Sequence, residues 1–463
     1  ARDQLATSDN DDHAEYNKKS RGYSMTDLLD YADRVWRGEE STEAYDFGDL
    51  RREGLHDVAP GVWMWPACGN VYIFPTREGL LFFDAGSIAT AAELFAAVRT
   101  RTVDPLHTVV YSHGHVDHVA GVREFDAESE TRGWRRPTVV AHENVSKRFH
   151  RYTTTNGYNT MINRRQFQRP EFQWPTVYRQ PDVTYKDSAE LKIGDLQIQL
   201  RHWRGETDDA TVAWIPDQRI ICSGDFFLWM MPNAGNPQKV QRFALEWANA
   251  LRWMASLGAE ILLPGHGVPI VGADRVRTAL TDTAEVLQSL HDQTLDAMNS
   301  GATLDQVIHS VTAPPELMRK PYLTASYDEP EFVVRNLWRL YGGWYDGNPA
   351  NLKPAQRNEL AREITELSGG SHSLAQRAGE LAARGDLRLA AHLAQIAVDA
   401  APDDHPAHRT RVEVFRALEK ASTSTMAKGI YSWAAAESQS VLDRVDLASA
   451  LSAERNPRDR WTI

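Results

Sequence analysis

The chain has 463 residues, which at roughly 100–200 residues per domain implies two to four domains and excludes a peptide hormone or a single small binding module. Hydrophobic residues at 42%, before glycine is counted, sit in the ordinary globular range and exclude a disordered or collagenous chain. With 51 Lys and Arg against 63 Asp and Glu, the net charge of −12 repels a phosphate backbone and no basic run offsets it, so nucleic acid is not expected as a partner.

Residues 1–23 are polar, with Asp9, Asn10, Asp11 and Asp12 in a row, and read as a loose arm. Ser24 then reads as an N-cap ahead of an apolar stripe at Leu28, Ala32, Val35 and Trp36, which is helical spacing. No apolar run approaches the ~20 residues that span a bilayer, and mean hydropathy is −0.48, so no membrane partner is expected. The chain begins at Ala1 without an apolar leader. It reads as cytoplasmic, with a periplasmic or secreted location left open by a trimmed start. Cys68 and Cys222 are the only cysteines, too few for a disulfide framework, and read as two small buried hydrophobes.

From about residue 58 to 270 the texture changes to short apolar runs separated by Gly, Pro and Asp: 70–74, 79–83, 108–111, 138–141, 219–222 and 261–263. Helical patterns at 90–100 and 242–257 alternate with them, which predicts an α/β domain whose sheet is buried under helices. After residue 272 the patterns at 274–299 and 332–341 are helical. Residues 374–436 then read as consecutive antiparallel helices, broken at Gly385 and Pro402. The expected division is an arm and helix over 1–57, an α/β domain over 58–274 and a helical region over 275–463.

Chemistry concentrates in Ser112-His113-Gly114-His115-Val116-Asp117-His118, which directly follows the run at 108–111. Four metal-capable side chains so close together at a strand end have no explanation in core packing. Imidazoles two apart converge on one ion, and the adjacent Asp and His are free to hold another. Glu206, Asp225 in Ser223-Gly224-Asp225, and His266 in Pro264-Gly265-His266-Gly267 each stand beside a further strand end, on the rim where a sheet presents its site.

The combination H-x-H-x-D-H, G-D and P-G-H-G resembles the metallo-β-lactamase superfamily, which implies a four-layer αββα sandwich over about residues 58–272. Most of that superfamily has a histidine where this chain has Glu206. A carboxylate there is similar to the alkylsulfatase branch, although that branch commonly has Glu where this chain has Asp225. Residues 343–352, GWYDGNPANL, look like an alkylsulfatase signature, and residues 385–391 and 399–404 are similar to that family's helical dimerisation domain. The resemblance therefore implies a homodimer joined through residues 374–436.

The resemblance also implies roles. His113, His115 and Glu206 would hold one metal ion, and Asp117, His118 and His266 a second. Asp225 would bridge them, and Asp117 and Asp225 count as catalytic residues as well as ligands. Two zinc ions are expected from the N and O donors, with Mn or Fe left open. Two dications lower the pKa of water, so the implied reaction is hydrolysis of an alkyl sulfate ester to alcohol and inorganic sulfate. Residues 159–165 resemble the family's N-A-M-x-R-R stretch, which makes Arg164 and Arg165 candidates for the sulfate, assisted by Tyr158 and Asn163. Phe167, Phe172, Trp174 and Trp203 are candidates for an apolar chain pocket or for core. Asp84 resembles a buried structural Asp, and His142 and His202 are candidates for contacts behind the ligands. A sterol-carrier-like domain found in detergent-cleaving members has no counterpart before Ile463, which points the expectation toward shorter alkyl chains. Competing readings are another hydrolase on the same scaffold, acting on a phosphodiester, lactone or amide, and a metal-stabilised dimer without activity.

Overall fold

In the computed structural model, which describes residues 27–42 and 54–453, two sheets face one another; the expected arm and the Ser24 cap lie outside the described residues. The first sheet comprises β1 (His56–Ala59), β2 (Val62–Trp65), β3 (Val71–Thr76), β4 (Gly79–Phe83), β5 (Leu106–Val110), β6 (Thr138–His142) and β7 (Val183–Tyr185), side by side in chain order. The second has the order β13 (Ile270–Val271), β12 (Ile261–Pro264), β11 (Ile220–Gly224), β10 (Ala210–Ile215), β9 (Leu196–Trp203) and β8 (Ser188–Ile193). The pairs β4–β5 and β11–β12 are parallel, so the loops after these four strands emerge at the ends that carry the motifs.

Strand periodicity of two explains the layering. Tyr72, Phe74, Leu81, Phe83 and Val110 enter the core shared with the second sheet, while Val71, Ile73, Leu80, Phe82 and Val109 enter the opposite core. That opposite core is closed by Leu94, Val98, Val122, Phe125, Val145 and Phe149, from helices Ala91–Arg101, Val122–Arg132 and Asn144–Thr154. Helices Ala244–Ser256 and Ala273–Asn299 pack against the second sheet. The metallo-β-lactamase-type sandwich followed by a helical region is thus the observed architecture.

Packing does not change character at the expected division near residue 274. Val276, Leu280 and Leu287, and then Val333 and Leu337 of helix Pro330–Gly342, belong to the same core as the second sheet. Purely helical clusters occur further on, among helices Ser371–Ala383, Leu387–Ala400, His405–Ala421 and Thr425–Asp443. Ala378, Ala390 and Ala394 are fully buried there, and small side chains let the helices approach closely. The last of these four helices folds back on helix Asn156–Phe167. A Cβ at Gly429 would collide with the Gln166 carbonyl, so only glycine fits, and the Gln168 amide donates to the Gly429 carbonyl at 2.6 Å. Among the described residues no helix is long and apolar enough to cross a membrane.

Candidate metal centre and active site

Six strand ends supply the site. The β5 loop carries His113, His115, Asp117 and His118. Glu206 lies between β9 and β10, Asp225 follows β11, His266 follows β12, Asp84 follows β4, and Cys68 lies between β2 and β3. Gly265 is required by Asp225, because a Cβ there would strike its Oδ1. The His266 loop is tied down by Asn70 Nδ2, which donates to the Pro264 and Gly267 carbonyls at 3.1 and 2.9 Å, and by Tyr72 OH, which donates to Pro264 at 2.7 Å.

One donor atom each from His113, His115, Glu206 and Asp225 lie within 4.8 Å of one another, and the same holds for His118, Asp225 and His266. Asp225 belongs to both groups. Its Oδ2 is 3.6 Å from His113 Nε2, while its Oδ1 is 3.4 Å from His118 Nε2 and 3.3 Å from His266 Nε2. Asp117 Oδ2 stands 3.5 Å from His118 Nε2 and 3.6 Å from His266 Nε2.

The donors are held from behind. Asp84, in a left-handed conformation at φ 63°, accepts from the Ser112 amide at 2.6 Å and faces His118 Nδ1 at 2.8 Å, leaving Nε2 for the cluster. Ser112 Oγ lies 2.9 Å from His113 Nδ1, with the same consequence for that ring. Glu206 Oε1 accepts from Arg242 Nη1 at 2.5 Å and from Asn233 Nδ2, leaving Oε2 3.7 Å from His115 Nδ1. Burial pushes the Glu206 carboxyl up to about 7 despite the Arg242 guanidinium beside it.

A cation fits this arrangement. His113 Nε2, Glu206 Oε2 and Asp225 Oδ1 are buried and have no hydrogen-bond partner among the described residues. Orphaned buried polar atoms cost about 1–3 kcal/mol each, and these three belong to the two clusters, where positive charge satisfies all of them.

Residues 68–266 match the metallo-beta-lactamase superfamily, and residues 303–440 match the alkyl sulfatase dimerisation family. The chain carries a metallo-β-lactamase domain over residues 68–266 and an alkyl sulfatase dimerisation domain over residues 303–440. This metallo-β-lactamase-type chain is 28% identical over 388 residues to a linear primary-alkylsulfatase of Pseudomonas sp. (strain ATCC 19151), covering 79% of the chain and 73% of the relative. It is 26% identical to an (R)-specific secondary-alkylsulfatase of Pseudomonas sp., covering 83% of the chain and 62% of the relative. The structure of the stereoselective inverting sec-alkylsulfatase Pisa1 from Pseudomonas sp. superposes with a TM-score of 0.73 at 24% identity, over 85% of this chain and 67% of that one, and shows the same fold.

The seven expected ligands converge beside a cavity of about 100 Å³, whose wall includes His115, Asp117, Glu206, Asp225 and His266. Asn163 lines it. Tyr158, Arg164 and Arg165 do not: Tyr158 is 65% exposed, Arg164 Nε donates to the Phe172 carbonyl, and Arg165 Nη1 donates to Gln238. The cationic groups in the wall are instead Lys239 and Arg242, joined by Asn233 and Tyr327, none of which the motifs indicated. Cys68 also faces the cavity rather than the core. Phe167 and Trp174 line it, whereas Trp203 packs beside Trp253, and His142 stacks on His202 at 3.6 Å away from the cavity. Across Val116 and Trp174 lies a wider groove of about 660 Å³, which Phe172 and Tyr178 also line.

Proposed function

We propose that this chain is a two-metal hydrolase that cleaves alkyl sulfate esters to alcohol and inorganic sulfate, working as a homodimer. The observation that carries the reading is the single cavity in which two donor clusters sharing Asp225 face the cations Lys239 and Arg242 and an apolar wall of Phe167, Trp174, Leu228 and Met230. His113, His115 and Glu206 would hold one ion and Asp117, His118 and His266 the other, with Asp225 between. Bound there, divalent ions supply Lewis acidity and make water acidic enough to ionise near neutral pH.

The chain's own residues do the rest. Lys239 Nζ stands 5.2 Å from the Trp174 ring centroid and has no ion-pair partner among the described residues, so it is free to meet an entering sulfate. Asn163 offers an amide to the same anion, and the apolar wall and adjoining groove exclude water from the alkyl portion. Turnover of a panel of alkyl sulfates, phosphodiesters, lactones and amides by metal-loaded protein tests the reading. Sulfate esters should be strongly preferred, and preferential hydrolysis of any other class would replace it with the corresponding hydrolase.

Replacing Lys239 with methionine should raise KM for an alkyl sulfate by ~10-fold or more, since a hydrogen bond from a charged donor contributes ~1.5–3 kcal/mol. Burial, and then the neighbouring Arg242, push the Lys239 ammonium down to about 7. Its charge is present below that value and lost above it, so the wild-type KM should climb between about pH 6 and about pH 8 while the variant's stays flat. A wild-type KM independent of pH, together with an unaltered variant, would place the sulfate elsewhere.

Exposed apolar side chains on a braced scaffold, in the region matching the dimerisation family, support the dimer. Asp346 accepts from the Asn348 amide at 2.9 Å and from Asn351 Nδ2 at 2.5 Å, fixing a loop on which Trp344 is 71% exposed. Leu352, Leu367 and Leu389 are also more than half exposed. Sedimentation at micromolar concentration should give twice the chain mass, and a monomer would contradict the assignment.

A further inference from the structure

Cys68 is a metal-capable cavity residue that neither ligand set uses. It sits in the turn between β2 and β3, with its Sγ 3.9 Å from Asp117 Oδ2. One donor atom each from Cys68, Asp117 and His266 lie within 4.8 Å of one another. A separate observation points to an ion at this spot. Asp225, only 9% exposed, turns Oδ1 to within 3.3 Å of His266 Nε2 and 3.4 Å of His118 Nε2, and that oxygen has no hydrogen-bond partner among the described residues. Donors about 2.0–2.3 Å from a tetrahedral zinc ion stand about 3.3–3.8 Å apart, close to the 3.6 Å between Asp117 Oδ2 and His266 Nε2 and the 3.9 Å between Asp117 Oδ2 and Cys68 Sγ.

We propose that Cys68 supplies a thiolate ligand to the second ion, in the group it forms with Asp117 and His266. The inference rests on the two-metal reading above and adds to it a softer second site that discriminates in favour of zinc over manganese. On binding, the S–H bond breaks, sulfur keeps the electron pair and donates it to the ion, and the proton passes to solvent. The two sites then differ in kind: nitrogen and oxygen donors alone in the first, and sulfur as well in the second. The bland alternative is a thiol that merely fills the wall, and it differs from the proposal in every readout below.

The test uses the full chain titrated with Co²⁺. A near-ultraviolet sulfur-to-cobalt charge-transfer band should grow with one of the two equivalents and be absent from Cys68→Ser. Zn²⁺ should shield the Cys68 thiol of the wild-type protein from iodoacetamide, while the fully buried Cys222 stays unreactive in either state. In competition with a chelator, Cys68→Ser should hold its weaker-bound ion at least ~10-fold less tightly, the lower end of what even changes behind a ligand cost. Two bound ions without the band, and with alkylation equally fast in the presence and absence of zinc, would overturn the proposal while leaving the two-metal reading intact. Binding of no ion at all would overturn both. The alkylation arm uses the wild-type side chain, so it stands even if the serine variant fails to fold.

Discussion

Asp225→Ala is expected to reduce the metal content from two ions per chain to one or fewer and to lower turnover by ~1000-fold or more, within the range of effects seen when a reacting group in a hydrolase is removed. The size of the effect follows from geometry. Asp225 Oδ2 faces His113, Oδ1 faces His118 and His266, and one substitution therefore disturbs both clusters. His115→Ala, which touches only the first cluster, should cost one ion. Metal analysis after gel filtration, run beside a rate measurement, separates the two variants. An Asp225→Ala protein that keeps both ions and most of its rate would show that the shared position is not a bridge.

The second large effect is expected at Arg242. Its guanidinium is the buried countercharge to Glu206, with side-chain exposures of 3% and 5% for the pair, and it also donates to the Asn233 carbonyl at 2.8 Å. Breaking such a pair by removing one partner costs ~3–5 kcal/mol. Arg242→Met should lose about that much stability in chelator-treated protein, read by denaturant titration. The sign of the pH dependence is fixed by Glu206, whose folded-state carboxyl is raised to about 7 by burial. Below that value the group is protonated in both proteins and the difference should shrink; above it the charge is present and the deficit should reach its full size. Added divalent cation should restore part of the loss by supplying positive charge to the Glu206 cluster. A deficit that ignores both pH and metal would mean that Arg242 acts through packing alone.

What could be read from the sequence divides along physical lines. The candidate donors His113, His115, Asp117, His118, Asp225 and His266 are legible because each follows a short apolar run that ends abruptly in a polar loop, which places them on a common rim. Arg164 and Arg165 stand away from the cavity because of the phase of their helix. Asn159, Ile162, Asn163 and Gln166 repeat at helical spacing and form the buried face of helix Asn156–Phe167, and Arg164 and Arg165 fall outside that stripe. Lys239 lies in an aperiodic stretch between β11 and helix Ala244–Ser256, and Arg242, at the edge of the helical pattern expected over 242–257, stands just outside that helix. Part of that stretch is placed by Asp328, which accepts from the Gly235 and Asn236 amides at 2.5 and 3.2 Å from about ninety residues away along the chain. No local pattern encodes such a contact. Cys68 was unreadable for a related reason: β1 and β2 were not among the expected strands, so nothing marked its turn as another strand end on the rim.

The seat of Gly429 against Gln166 bears on how the enzyme matures. The helix that brings Asn163 and Phe167 to the cavity is backed by a helix separated from it by some 260 residues of sequence. At ~5–20 residues per second, the interval between His266 and Gly429 being synthesised is on the order of ten seconds or more. Throughout that time every metal donor has been made, yet the helix bearing part of the substrate wall lacks its backing. The chain is therefore built to acquire its donors early and its finished substrate pocket late, so a truncated or nascent product should bind metal well before it turns over substrate.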